Sequence, residues 1–172
     1  MKYIVVFRSP QTKLRNGDEL SESAKALFLR YAGYLQRLCR GIQSADIITS
    51  PAPQNITAGN ILRRAVGMRL FASDDIWQEL YNERPCQEID MIPFMNVVQS
   101  RWKSEVLVIM THYPFPDTFP VFLASQAWNK KVSAICVPKS AGVIISVREK
   151  CAELFAPFEW IRKGNVAVLR QS

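Results

Sequence analysis

Three short stretches of this chain hold side chains able to act together on a ligand. They are Arg8-Ser9-Pro10-Gln11-Thr12, Thr49-Ser50-Pro51 continuing to Gln54, and Thr111-His112-Tyr113-Pro114. His112 is the only histidine, so any imidazole acid–base step falls to it. Arg8 offers a planar guanidinium fork suited to phosphate or carboxylate. Ser9 offers a hydroxyl that attacks only when a general base takes its proton. Gln54 and Thr12 add uncharged hydrogen-bonding groups. Each also has an ordinary role open to it: an arginine after a strand can be a surface residue or an ion-pair partner, and a lone histidine can be a hydrogen-bonded loop residue.

The elements before these stretches explain how they could meet. Tyr3 to Phe7, Ile47 to Ile48 and Val106 to Met110 are apolar, β-branched runs of the kind buried in parallel sheets. In an open parallel sheet, ligands bind beyond the carboxyl ends of the strands, so loops distant in sequence can converge there. Strands are expected at Lys2 to Phe7, Ala45 to Thr49, Met68 to Phe71, Glu105 to Met110, Ser133 to Val137, Gly142 to Val147 and Asn165 to Leu169. Helices are expected in four places. The first is capped by Ser21 and has Ala24, Leu27, Phe28, Tyr31, Leu35 and Leu38 at helical spacing. The others are Asn55 to Val66, ended by Gly67, then Asp90 to Gln99, and Phe119 to Trp128 with Pro120 in its first turn. Gln11 to Glu19 is a polar loop, and Arg148 to Arg162 has no clear assignment. The alternation of strand and helix predicts a three-layer α/β/α domain with a mostly parallel central sheet, spanning 1–172 as a single domain.

Composition narrows the chemistry. A chain of 172 residues can bury roughly 70% of its unfolded surface, so no disulfide or metal is needed to hold it. Cys39, Cys86, Cys136 and Cys151 are widely spaced and form no C-x-x-C pair, which fits reduced thiols in the cytoplasm. One histidine and unpaired cysteines leave no zinc set, and no cofactor is implied. No apolar run approaches a membrane span or a signal peptide. The net charge of +7 is scattered rather than gathered in a stripe, which argues against nucleic acid and allows an anionic ligand or acidic partner. The turn Lys13-Leu14-Arg15-Asn16-Gly17 could bring a further cation over the crevice, while Arg63 and Arg64 fall on the outer side of their helix. The cluster Tyr113, Phe115, Phe119 and Trp128 is expected mainly in the core, with Tyr113 and Phe115 beside His112 able to line a pocket mouth as well.

The layout resembles the histidine phosphatase (phosphoglycerate mutase-like) superfamily. Its size and lack of a large insertion are most similar to the short phosphohistidine phosphatases of the SixA type. In that family the first strand ends in Arg-His-Gly, the histidine being the nucleophile. Here Arg8 matches, Ser9 stands in the histidine's place and Pro10 in the glycine's. The second loop of the family runs Ser-Ser-Pro to a phosphate-clamping arginine. Thr49-Ser50-Pro51-Ala52-Pro53-Gln54 matches that frame with Gln54 in the arginine's place. Thr111-His112 matches the third loop, so the second histidine is kept.

These replacements imply a pseudoenzyme. Phosphohistidine hydrolyses readily, whereas a phosphoserine formed at Ser9 would be a stable ester. Gln54 brings no charge, where each charge-assisted arginine bond is worth roughly 1.5–3 kcal/mol. The resemblance thus implies a partial anion site of Arg8, Gln54, Thr12 and His112 that binds a phosphorylated or acidic ligand or a protein partner. His112 would add a second donor when protonated, so anion affinity should fall as pH rises through about 6.5. One alternative is a weak or altered phosphatase or phosphotransfer enzyme using His112 and Arg8. A more remote one is a hydrolase with Ser9 as nucleophile, His112 as base and Asp117 as orienter. No G-x-S-x-G elbow supports the latter, and Pro10 removes an N–H that an oxyanion hole would use.

Overall fold

The computed structural model describes residues 1–10, 12, 19–72, 91–129 and 136–155. Gln11, the turn over 13–17, Cys86, Asp90, the first three residues of the expected strand at Ser133, the stretch 156–162 and Asn165 to Leu169 lie outside the described residues. The elements run β1 (Tyr3–Arg8), α1 (Glu22–Leu38), β2 (Ala45–Thr49), α2 (Pro53–Val66), β3 (Arg69–Ala72), α3 (Ile92–Ser100), β4 (Val106–Thr111), α4 (Phe115–Trp128), β5 (Gly142–Ser146) and β6 (Cys151–Phe155).

The six strands form one sheet in the order β3-β2-β4-β1-β5-β6. β3, β2, β4 and β1 are mutually parallel, while β5 runs antiparallel to both β1 and β6. Strand alternation divides the core. Val5, Phe7, Ile47, Val106 and Val108 face α1 and α2, where Phe28, Leu35, Ala58 and Leu62 are buried. Ile4, Val6, Leu107, Ile109 and Val143 face α3 and α4, where Phe94, Val98, Phe115 and Phe119 are buried. The sheet therefore lies between two helical layers, and β1 and β4 are buried on both faces, as their unbroken apolar runs require.

Local signals set the helix ends. The Ser21 hydroxyl accepts from the Ala24 amide at 3.1 Å and caps α1. Gly67 closes α2 at φ 75°, its N–H reaching the Arg63 carbonyl at 2.8 Å. At the amino end of β2 the buried Asp46 carboxylate takes Arg69 Nε at 2.8 Å and Nη2 at 3.1 Å, and also the Ser104 hydroxyl. That cluster ties β2 to β3 and to the turn before β4. Among the described residues no helix is long and apolar enough to cross a membrane.

Three expectations are corrected. The last large helix begins at Phe115, not Phe119, so Pro116 occupies its first turn and Pro120 lies inside it. Pro120 has no N–H to donate, and burial of Phe115, Phe119 and Leu123 against the sheet outweighs the lost bond. Cys136 and Val137, the described end of the strand expected from Ser133 to Val137, are not in a strand. The N–H and C=O of Val137 bond to side chains instead of to a neighbouring strand. Finally, β6 arises inside the unassigned Arg148 to Arg162 stretch, with Ala152 and Leu154 buried and Glu153 exposed. It is reached by a tight turn in which Lys150 takes a left-handed φ of 54°, a position with no glycine or asparagine to announce it.

Gly142, paired with Phe7, leaves no room for a side chain between β5 and β1. A Cβ there would lie 2.8 Å from the Val6 carbonyl oxygen and 2.8 Å from Phe7 Cδ1. Gly142→Ala should therefore cost about 1–3 kcal/mol through overpacking, measured by urea unfolding. An unchanged midpoint would mean that β5 can shift away from β1 without penalty.

Candidate functional site

Because β1, β2 and β4 are parallel and in register, their carboxyl ends fall at one edge of the sheet. Arg8 pairs with Thr111, and Thr49 with Met110. Ser9, Ser50 and His112 each follow directly from one of these strand ends, so the three loops converge as expected. The Ser50 amide also donates to the Met110 carbonyl at 3.0 Å, fastening the second loop to β4.

At the centre of the convergence stands Asn55, a residue of the first turn of α2 that is fully buried. Its Oδ1 accepts from Ser9 Oγ at 3.1 Å, and its Nδ2 donates to Ser50 Oγ at 2.6 Å. Nδ2 also lies 3.2 Å from His112 Nε2, and Ser50 Oγ lies 3.1 Å from the same nitrogen. An amide nitrogen can only donate, so Nε2 is the accepting nitrogen and the neutral ring carries its proton on Nδ1. Ser9, Asn55, Ser50 and His112 thus form one directed chain of hydrogen bonds. Burial pushes the imidazole below its ordinary value, which keeps it neutral near pH 7. The pH expectation for His112 assumes an unshifted imidazole; burial moves its protonation below 6.5, while the sense, tighter anion binding at lower pH, stays the same.

Arg8 is engaged on two sides. Its Nη1 donates to the Val137 carbonyl at 2.7 Å, and its guanidinium carbon sits 4.9 Å from the centroid of the Tyr113 ring. Asp117, in the first turn of α4 and 8% exposed, accepts from the Val137 amide through Oδ1 at 3.1 Å. Arg8 and Asp117 therefore hold the two backbone polar groups of a single residue. Burial raises the Asp117 carboxyl to about 6, against smaller lowering effects from the Val137 amide and the Arg8 charge.

The expected site residues separate into two groups. Arg8, Ser9 and His112 gather at the strand ends with Asn55 and Ser50. Gln54 precedes Asn55 on α2, is half-buried, and takes no part in the hydrogen-bond chain. Thr12 lies beyond the first loop, half-buried and bridged to Leu20. Tyr113 lies over Arg8 and is half exposed, whereas Phe115 belongs to the core, its ring 4.9 Å from Phe94. Arg63 and Arg64 are exposed on the outer side of α2. Asn55 was not distinguished in the sequence from the other residues of its helix. Its one signal is chemical: a short amide in the first turn of a helix, just behind a strand-end loop, tends to bond to neighbouring loop groups.

Two outcomes follow from this geometry. Asn55→Ala strips Ser9 and Ser50 of their shared partner and should destabilise the fold by about 1–3 kcal/mol in denaturant unfolding; a neutral effect would mean that water replaces the amide without loss. The second concerns pH. The folded-state value of Asp117 lies above its unfolded one of 3.8, so its contribution to stability is present below about 4 and is lost as pH rises through about 6. His112 acts in the opposite sense, its contribution being present above 6.5 and lost as pH falls through its lowered value. Unfolding curves of Asp117→Asn between pH 4 and 7 should thus lack a decline that the unaltered protein shows. Identical pH profiles would place the Asp117 carboxyl outside this account.

No protein-family model matches the sequence, and neither does any curated protein. Solved structures do match. The SixA structure from Agrobacterium tumefaciens aligns with a TM-score of 0.58 at 17% identity, covering 91% of this chain and 98% of that one. A protein histidine phosphatase SixA complexed with tungstate gives 0.59 at 12% identity, covering 88% and 93%. The mycobacterial glucosyl-3-phosphoglycerate phosphatase gives 0.56 at 12% identity, covering 85% and 90%. At these identities the likeness is one of fold, and it extends over most of the chain: this protein has the α/β fold of the SixA-like histidine phosphatases.

Proposed function

We propose that this chain is a pseudophosphatase that keeps a partial oxyanion site and acts by binding a phosphorylated or acidic ligand, free or displayed on a protein partner. The observation that carries this reading is the closed hydrogen-bond chain from Ser9 through Asn55 and Ser50 to His112. Where the resemblance calls for a nucleophilic imidazole after β1, the group present is a serine hydroxyl donating to an amide oxygen. His112 accepts from Ser50, so it is not aimed as a base at Ser9, which weakens the hydrolase alternative. Ser50 is itself fully buried and out of reach of a substrate.

Support for a retained anion site comes from three sides. Arg8 brings a charge that cannot be removed near neutral pH. The amino ends of α2 and α4 begin just beyond the second and third loops, so their partial positive charges fall at this edge. Neighbours in fold have been seen with tungstate and with inorganic phosphate. Gln54 adds no charge to this set, so binding without turnover is the behaviour the residues favour.

The test is activity and its repair. The purified protein should hydrolyse neither p-nitrophenyl phosphate nor a phosphohistidine peptide above background. Robust turnover that disappears in His112→Ala would overturn the pseudophosphatase reading in favour of altered chemistry. The triple change Ser9→His, Pro10→Gly, Gln54→Arg should show phosphatase activity at least tenfold above the unaltered protein, and Ser9→His alone should show little, because Pro10 fixes φ near −65°. A folded triple variant inactive on several phosphomonoesters would mean that the Asn55-centred arrangement no longer accommodates the chemistry.

A further inference from the structure

Arg8 brings the positive charge of the site, and a single peptide segment links it to a buried acid. Arg8 Nη1 holds the Val137 carbonyl and Asp117 Oδ1 holds the Val137 amide, at 2.7 and 3.1 Å. The acid sits in the first turn of α4, the element that begins three residues after His112. Among the described residues, the elements packed around it bring little else that is charged. β4, β5 and α3 contain no ionisable side chain, and β1 contributes Arg8 alone on this side of its carboxyl end. The loop before α4 adds His112 and Tyr113, and the described segment before β5 adds Cys136 and Lys139.

Among the described residues, an oxyanion entering here meets the guanidinium of Arg8, joined through Val137 to the carboxyl of Asp117. We propose that Asp117 is the charge gate of the site: ionised, it cancels the attraction of Arg8 for an oxyanion, and protonated, it leaves Arg8 to bind one. The inference rests on the oxyanion-site reading and adds the residue that decides when the site is receptive. Burial pushes the Asp117 carboxyl up to about 6, which places the change within reach of mildly acidic pH. Among the described residues at this edge, His112, which burial keeps neutral until lower pH, is the other group whose protonation would favour an anion in the same direction.

Sulfate is a suitable probe because its own charge is constant from pH 5 to 7.5. Calorimetric titration at fixed ionic strength should show the unaltered protein binding sulfate at least about tenfold tighter at pH 5 than at pH 7.5, since a carboxylate about 12 Å from a unit charge already has an effect of that order at an effective dielectric near 20, and a closer one more. Asp117→Asn keeps an amide oxygen for Val137 and should bind at pH 7.5 as tightly as the unaltered protein does at pH 5, with no slope between. Should that variant fold poorly, carbon-13 NMR of the Asp117 carboxyl in the unaltered protein decides instead: by linkage, saturating sulfate must raise its titration midpoint. A slope that survives Asp117→Asn but vanishes in His112→Gln would overturn the gate and assign the switch to the imidazole. Binding that is independent of pH and lost in Arg8→Ala would overturn the gate while leaving the oxyanion site standing. No sulfate binding at any pH by any of these proteins would remove the site itself.

Discussion

The parallel pairing of β1 with β4 is the constraint on which everything at the site depends. It sets Arg8 opposite Thr111, and the neighbouring pairing of β2 with β4 sets Thr49 opposite Met110, so three strand ends stop at one level. A slip of one residue in either pair would turn the apolar sets of β1 and β4 toward the wrong helical layer. Both strands are buried on both faces, so their register is held by two cores at once: Val5 and Phe7 against α1 and α2, Ile4 and Val6 against α3 and α4. The position of the loops is therefore as well determined as the core.

What occupies that edge is a set of neutral groups that satisfy one another. Ser9, Asn55, Ser50 and His112 pass hydrogen bonds along a line, and burying such groups is tolerable because each has a partner. The same self-sufficiency is what favours the proposal of binding over catalysis. A catalytic nucleophile needs a base with spare capacity, and here the imidazole nitrogen facing the cluster is committed to Ser50 and Asn55. The charged groups are set to one side, where Arg8 and Asp117 grip the backbone of Val137. Structure and charge are thus coupled: the residues that hold the segment before β5 also set the potential that a ligand would feel.

Much of this was legible in the sequence because it rests on local or periodic signals. The unbroken runs of β1 and β4, the helical spacing of Ala24, Phe28, Tyr31 and Leu35, the Ser21 cap and the Gly67 stop all act within a few residues, so alternation of strand and helix could be read and with it the three layers. The convergence of Arg8, Ser9 and His112 followed from parallel topology alone. Harder to read were features whose partners are distant. Pro120 is tolerated in α4 because tertiary burial outweighs a lost bond, and β6 forms because β5 offers an edge to pair with, after a turn that bears no turn residue.

The sequence by itself determined which residues could stand at the strand ends; that Ser9 and Gln54 stand where a histidine and a charged clamp would be expected is what the family resemblance implies. Tertiary structure alone decided how those residues are joined. Asn55 became the centre and Gln54 was left beside it because the turn of α2 aims one amide inward and not its neighbour. Val137 lost its strand because Arg8 and Asp117, 109 positions apart in the chain, satisfy its backbone from two different elements. Residue type and short-range periodicity are properties of the chain, whereas hydrogen-bond partners and the burial that shifts a carboxyl or an imidazole exist only once distant segments are packed together.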